Sequence, residues 1–394
     1  MTQTDITFII LFSLPAYVAM MCGLYLSRML YLKENPFRRL PFIMTIVMYF
    51  VSMLVWFSRI LYYVLPEVYV TLHSFLFMTC LLIYILSYRF VFEITKVSPS
   101  EKFSFFHFLT PLSGFIVMQV WSFFVPREVQ LSLVSSDGVA VDGFKWFSLF
   151  FSSEIPLLLC LNVIYSALGL RRIANYRKVI VNYSADEYRG SLNWLYQFII
   201  AKFAFFVGLG AIYAVSRTLT VNIWLLATPS MIAVFKYIIL VHNILLENFV
   251  VISTDQTDFD DLSPFPEFSD DDSVAIEGNE LLQSINEKSA LAIRNLEEYI
   301  RKTKPFLNPR FKITDMTRAL NTNRTSLSSL INRVYGVNFS RFINRLRLKE
   351  LAQIKSSPAN KNLSEEELVM KAGFSDFRGY LRVKYREELN SFKT

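Results

Sequence analysis

The sequence predicts an all-α protein: a seven-helix transmembrane bundle, then an acidic linker, then a domain with two helix-turn-helix units. Three observations carry this. Apolar runs of membrane-spanning length recur through the first 250 residues. The charge then changes sign twice. Residues 1–246 hold 18 Lys and Arg against 11 Asp and Glu, residues 247–286 hold 11 acids and no base, and residues 287–394 hold 22 bases against 11 acids. Finally, two helix-turn-helix patterns flank one amphipathic helix near the C-terminal end. The expected domains are therefore 1–247, 248–286 and 287–394.

With 53% hydrophobic and only 19% charged residues among 394, much of the chain requires an apolar solvent. The spans are expected near 6–27, 41–65, 68–92, 103–125, 146–170, 192–215 and 223–247. The first does not read as a cleavable signal, because Asp5 stands where a basic region belongs and no small-residue cleavage site follows. Twelve basic residues fall in the loops 28–40, 88–103 and 171–190, against Arg59, Arg127, Lys145 and Arg217 on the opposite side. Basic loops stay in the cytoplasm, so the N-terminus is expected outside and the C-terminus inside. The five Trp lie towards span ends, as an interfacial belt would require. The three cysteines (Cys22, Cys80, Cys160) sit in apolar runs without metal-ligand spacing and read as packing residues.

Ionisable residues at membrane depth are functional candidates. Lys236 falls mid-way along the seventh span, Glu154 in the fifth and Lys202 in the sixth. A Lys236–Glu154 pair, or an anion site at Lys236, is the sharp expectation; a structural pair is the plain one. A mid-span Lys in the last of seven helices also resembles retinal proteins, but the third span offers no carboxylate counterion. No His–Cys pairing, Gly-rich phosphate loop or nucleophile elbow appears, so no cofactor, metal or catalytic site is expected.

The linker is acidic, Pro-containing and without period, and is expected to be disordered, with an r.m.s. span of ~35 Å. It reads as a solubilising tether, or as a charge that competes with a polyanion for the basic domain. A helix over 281–302 follows, either the first of the basic domain or a short dimerising coil.

In the basic domain, Thr314 is expected to cap a helix whose apolar face is Ile313, Met316 and Leu320. Asn321, Thr322 and Asn323 make a turn, and a second helix runs from Arg324 to a stop at Gly336. Its apolar residues Leu327, Leu330, Ile331 and Val334 share one face. The other presents Arg324, Thr325, Ser328, Ser329, Asn332 and Arg333, which suit phosphate and base-edge contacts. After an amphipathic helix over 339–354, Ser364 opens a capping box with Glu367, and Ala372-Gly373-Phe374 makes a second turn. A helix from Ser375 then exposes Arg378, Arg382 and Arg386. Two such helices suit successive segments of a major groove.

The stretches "KPFLNPRFKITDMTRAL", "NRTSLSSLINRVYGVNF", "FINRLRLKEL" and "AGFSDF…YLRV" resemble the DNA-binding domain of the AraC/XylS family of bacterial transcription regulators. The layout resembles its membrane-tethered members. The resemblance covers about a quarter of the chain. It implies a bacterial inner membrane, double-stranded DNA as partner and control by a cue or membrane partner of the bundle, and it leaves open whether the chain sits on DNA as a homodimer. Thr317, Gly379 and the pair Lys384–Tyr385 depart from the family pattern, and its closing Gly-x-Ser-Pro motif is missing. Lys384 would bring an amine near the core, and Asp376 would oppose a phosphate. The competing expectation is a transporter or receptor-like protein whose basic tail binds a protein or anionic lipid.

Overall fold

The computed structural model describes residues 3–32, 39–98, 100–136, 138–139, 141–216, 223–252 and 279–391. Among them the chain is helical throughout, with one isolated antiparallel bridge between Ser184 and Lys312 and no strand. Two compact units result. One comprises residues 1–96, 100–174 and 193–249; the other comprises 97–99, 175–192 and 250–394.

The first unit is built from α1 (Gln3–Tyr31), α2 (Arg39–Val64), α3 (Pro66–Ile94), α4 (Leu109–Ser122), α5 (Arg127–Ser135) and α6 (Lys145–Ile180, to residue 174). After α7 (Glu187–Ser191), which belongs to the second unit, come α8 (Asn193–Ser216) and α9 (Ile223–Leu245). Six helical stretches among the described residues are long and apolar enough to cross a membrane: in α1, α2, α3, Phe105–Ser122, α6 and α9. The chain is thus of the multi-pass membrane class. The remaining predicted span, 192–215, coincides with α8, but the side chains from 209 onward lie outside the described residues. Such helices satisfy their own backbone hydrogen bonds, which hydrocarbon demands.

Polar side chains tie the helices of this bundle to one another. Tyr49 donates to the carbonyl of Tyr237 at 2.6 Å, and Trp56 Nε1 donates to the Tyr237 hydroxyl at 3.0 Å. Trp194 Nε1 donates to the Asn248 carbonyl at 2.6 Å. Trp56 and Trp194 are thus buried donors and not members of an interfacial belt, whereas Trp146 is exposed. Of the cysteines, Cys22 and Cys80 are half-buried, but Cys160 is exposed, so it is no core residue of this unit.

The second unit carries α10 (Asn279–Thr303), α11 (Ile313–Leu320), α12 (Arg324–Tyr335), α13 (Phe339–Ser356), α14 (Glu365–Lys371) and α15 (Phe377–Ser391). Most of the predicted linker, 253–278, lies outside the described residues. The α11–α12 turn is local chemistry: Asn321 takes φ +51°, and Asn323 caps α12 by accepting from Ser326 N at 2.7 Å. Gly336 ends α12 with φ +64°. Thr314 does not cap α11. Lys312 is the cap residue, and its backbone N–H donates to Asp315 Oδ2 at 2.9 Å.

Leu327, Leu330 and Ile331 are buried against Ile313 and Met316, while Val334 lies outward. A separate cluster of Leu351, Leu368, Val369, Phe374, Tyr380 and Val383 holds α13, α14 and α15 together. Each buried large aliphatic contributes about 1.5–3 kcal/mol. Gly373 is obligatory at the second turn. Its φ is +93°, and a Cβ there would meet the Phe306 carbonyl at 2.4 Å.

Candidate nucleic-acid interface

On α12, Thr325, Asn332 and Arg333 are exposed, Ser328 and Ser329 are half-buried, and no acid interrupts the face. Arg324 is half-buried at the helix start, and its Nη1 is enclosed without a hydrogen bond among the described residues. All six sequence-nominated residues of this helix therefore lie together near one surface.

On α15, Arg378, Arg382 and Arg386 are exposed and recur every fourth residue, which places them on one face. The helix begins at Phe377 and not at Ser375, because Asp376 caps it: Oδ1 accepts from Gly379 N at 2.7 Å. Asp376 therefore has a local structural role as the cap of α15. Gly379 makes room for that cap, since a Cβ would lie 2.9 Å from Asp376 Oδ2. Lys384 and Tyr385 both point outward, so the core receives no amine.

The connection between the fifth and sixth predicted spans adds a component that local pattern does not announce. Residues 175–192 belong to the second unit. The stretch 181–185 runs along it through backbone bonds: Ser340 N donates to Val181 O at 2.9 Å and Ile313 N to Tyr183 O at 2.9 Å. Asp186 caps α7 by accepting from Arg189 N, and its Oδ1 accepts from the Ser375 hydroxyl at 3.1 Å. Burial raises the Asp186 carboxyl above its usual range, against the lowering effect of the Arg189 N–H and side chain. Glu187 accepts from Asn344 Nδ2 at 3.2 Å and pairs with Arg386. Tyr188 lies under the Arg382 guanidinium, 5.9 Å from ring centroid to Cζ. Two of the three arginines on α15 are thus engaged by this strap, while Arg378 forms no ion pair among the described residues.

Arg347 organises the same region. It is 1% exposed and donates to the carbonyls of Phe306 (2.8 Å), Asn308 (2.9 Å) and Ala185 (3.1 Å) and to Asn344 Oδ1 (3.0 Å). Burial lowers its pKa to about 10, partly offset by Asp186 and Glu187. In sequence it falls within the amphipathic helix predicted over 339–354, with nothing nearby to mark it as buried. It is instead the centre of a buried network.

Within the first unit the expected Lys236–Glu154 pair does not form. His73 Nε2 lies 2.9 Å from Glu154 Oε1, and Lys236 instead sits near the rings of Tyr237 (5.1 Å) and Phe205 (5.5 Å). Helix neighbours decide this, which pattern alone cannot fix: α9 packs on α1, α2 and α8, whereas Glu154 on α6 meets α3. Lys202 is buried near the Tyr84 ring at 5.9 Å. Among the described residues no group of His, Cys, Asp and Glu has the arrangement of a metal site.

No protein-family model, characterised protein or solved structure matches this chain.

Proposed function

We propose that the chain is a membrane-anchored transcription regulator of AraC/XylS type. It binds double-stranded DNA sequence-specifically through α11–α12 and α14–α15, under control of a cue received by the membrane helices. The observation that carries the reading is the pair of short-turn helix couples joined by α13, with α12 presenting an acid-free polar and basic face. The +11 net charge of residues 287–394 supplies the attraction to phosphate. At 1.5 Å per residue, α13 gives a strut of about 27 Å between the two couples.

The strap supplies a route for control. It joins α6 to α8, both helices of the membrane unit, and its Glu187 and Tyr188 engage Arg386 and Arg382. A cue that moves α6 or α8 shifts the population in which those arginines are free for phosphate. We assign α12 to base reading and α15 mainly to backbone grip.

The test is selection of binding sequences from random duplexes by the full chain in lipid nanodiscs, followed by gel shift across a salt series. The expected result is an enriched motif whose binding weakens steeply with salt. Binding of anionic vesicles with no motif from any selection would overturn the reading in favour of a basic tail that docks on lipid.

A further inference from the structure

A cavity of about 100 Å³ lies between α2, α3 and α6, at the end of the bundle where α2 stops and α3 begins. Arg59, Tyr62, Tyr69, Cys80, Ser152 and Glu154 are among its lining residues. It therefore holds a guanidinium and a carboxylate, yet Arg59 forms no ion pair or hydrogen bond among the described residues. An unpaired guanidinium inside an apolar bundle is costly and marks a site that expects an anion. Glu154 is also incompletely served. His73, 4% exposed, approaches it within ion-pair distance, but the two atoms are not aligned as a hydrogen bond.

The walls are fastened to the adjoining connection. The Tyr62 hydroxyl donates to the Val134 carbonyl at 3.2 Å, at the end of α5, and Ser152 Oγ donates to the Gly138 carbonyl at 2.8 Å. An occupant that draws on Tyr62 or Ser152 thus changes how α5 and the 138 region are held. By the basic-loop pattern this end faces away from the cytoplasm.

We propose that this cavity binds a small zwitterion of the amino-acid class, its carboxylate on Arg59 and its ammonium on Glu154. A simple anion would satisfy Arg59 but face the Glu154 carboxylate. A simple cation would meet the converse problem. Only a molecule with both charges completes both groups, and the aromatic rings of Tyr62 and Tyr69 line the same cavity. One enclosed water needs ~10–15 Å³ of such space, so about 100 Å³ admits a small organic molecule and not only a water or two. Glycine and β-alanine are of that size. As the cue of the regulator, the ligand depends on the function proposed above; its binding does not.

The experiment uses the full chain in nanodiscs, with thermal unfolding followed by tryptophan fluorescence, since all five Trp lie in the membrane unit. Glycine, β-alanine, acetate and methylamine are the probes. The expected result is stabilisation by a zwitterion and by neither single-charge probe, with apparent affinity at least tenfold weaker in Arg59→Gln and in Glu154→Gln. Stabilisation by acetate alone, by no probe, or undiminished in both variants would overturn the proposal. Should either variant fail to fold, the native chain still decides. Modification of Cys80 by a small thiol reagent, read by mass spectrometry, is expected to slow several-fold with the zwitterion, and an unchanged rate overturns the site. No readout involves DNA, so failure here and failure of the sequence selection are separable.

Discussion

Replacing Arg347 by Ala tests the organisation of the second unit most directly. The side chain donates four hydrogen bonds between 2.8 and 3.1 Å from a position 1% exposed, so the substitution orphans three carbonyls and one amide oxygen together. Each buried acceptor left unsatisfied costs ~1–3 kcal/mol. Two effects reduce the sum. Water can enter the vacated space, and the burial cost of the guanidinium, visible in the fall of its pKa to about 10, is recovered. The net expectation is ~3–5 kcal/mol, the range for breaking one side of a buried charged network. Domains are stable by only ~5–15 kcal/mol, so the unit should persist but open locally. The assay is hydrogen exchange of the full chain in nanodiscs, read at 305–311 and 181–186. A loss of 3 kcal/mol accelerates exchange there by ~100-fold. If both segments exchange within about twofold of the native rate, Arg347 does not hold the strap to the domain. The network described above would then be wrong.

Further outcomes follow from the same geometry. Glu187→Gln combined with Tyr188→Ala removes the partners of Arg386 and Arg382 and should tighten DNA binding by the full chain about three- to tenfold in gel shift; unchanged affinity removes the strap from control. Arg324→Ala should relax base preference in a repeated sequence selection, with a loss of ~1–3 kcal/mol on the native motif. Burial pushes the Glu387 carboxyl up, but Arg341 and Arg345 outweigh it and hold it below its usual range of 4.5. That stabilisation is present above 4.5 and is lost as pH falls through the lower folded-state value. The stability difference between native chain and Glu387→Gln should therefore shrink in acid, as denaturant titrations at pH 7 and pH 3 would report. Gly373→Ala meets the Phe306 carbonyl at 2.4 Å in a left-handed conformation and should destabilise the α14–α15 couple by more than ~1 kcal/mol, seen as faster exchange in α14.

The legible parts of this chain are those governed by neighbours in sequence. Asn321, Asn323 and Gly336 announce the α11–α12 turn and the end of α12 because each solves a backbone problem within four residues. Ser364 with Glu367 announces α14 in the same way. The membrane helices are legible because apolar length is a one-dimensional property. What escapes is pairing across distance. Glu154 meets His73 and not Lys236, a choice set by which helices become neighbours. The role of Arg347 depends on three carbonyls from two segments, one of them 162 residues away. Residues 181–188 carry no period and no breaker that would mark them as part of a distant domain. The capping role of Asp376 escapes for a smaller reason: the pattern starts α15 at Ser375, two residues before it begins.

The strap also limits how this protein can be divided. A cut in the acidic stretch before α10 severs the only covalent path from α9 to the C-terminal helices. It leaves Val181, Tyr183, Ala185 and Glu187 still bonded to them. Proteolytic release, which would free a regulator joined by a single thread, would yield here a nicked but associated molecule. A gene fusion that moved residues 279–394 onto another membrane portion would leave a strip of their own fold behind. The head and the connection between α6 and α8 form one inheritable module, although about 90 residues of sequence separate them.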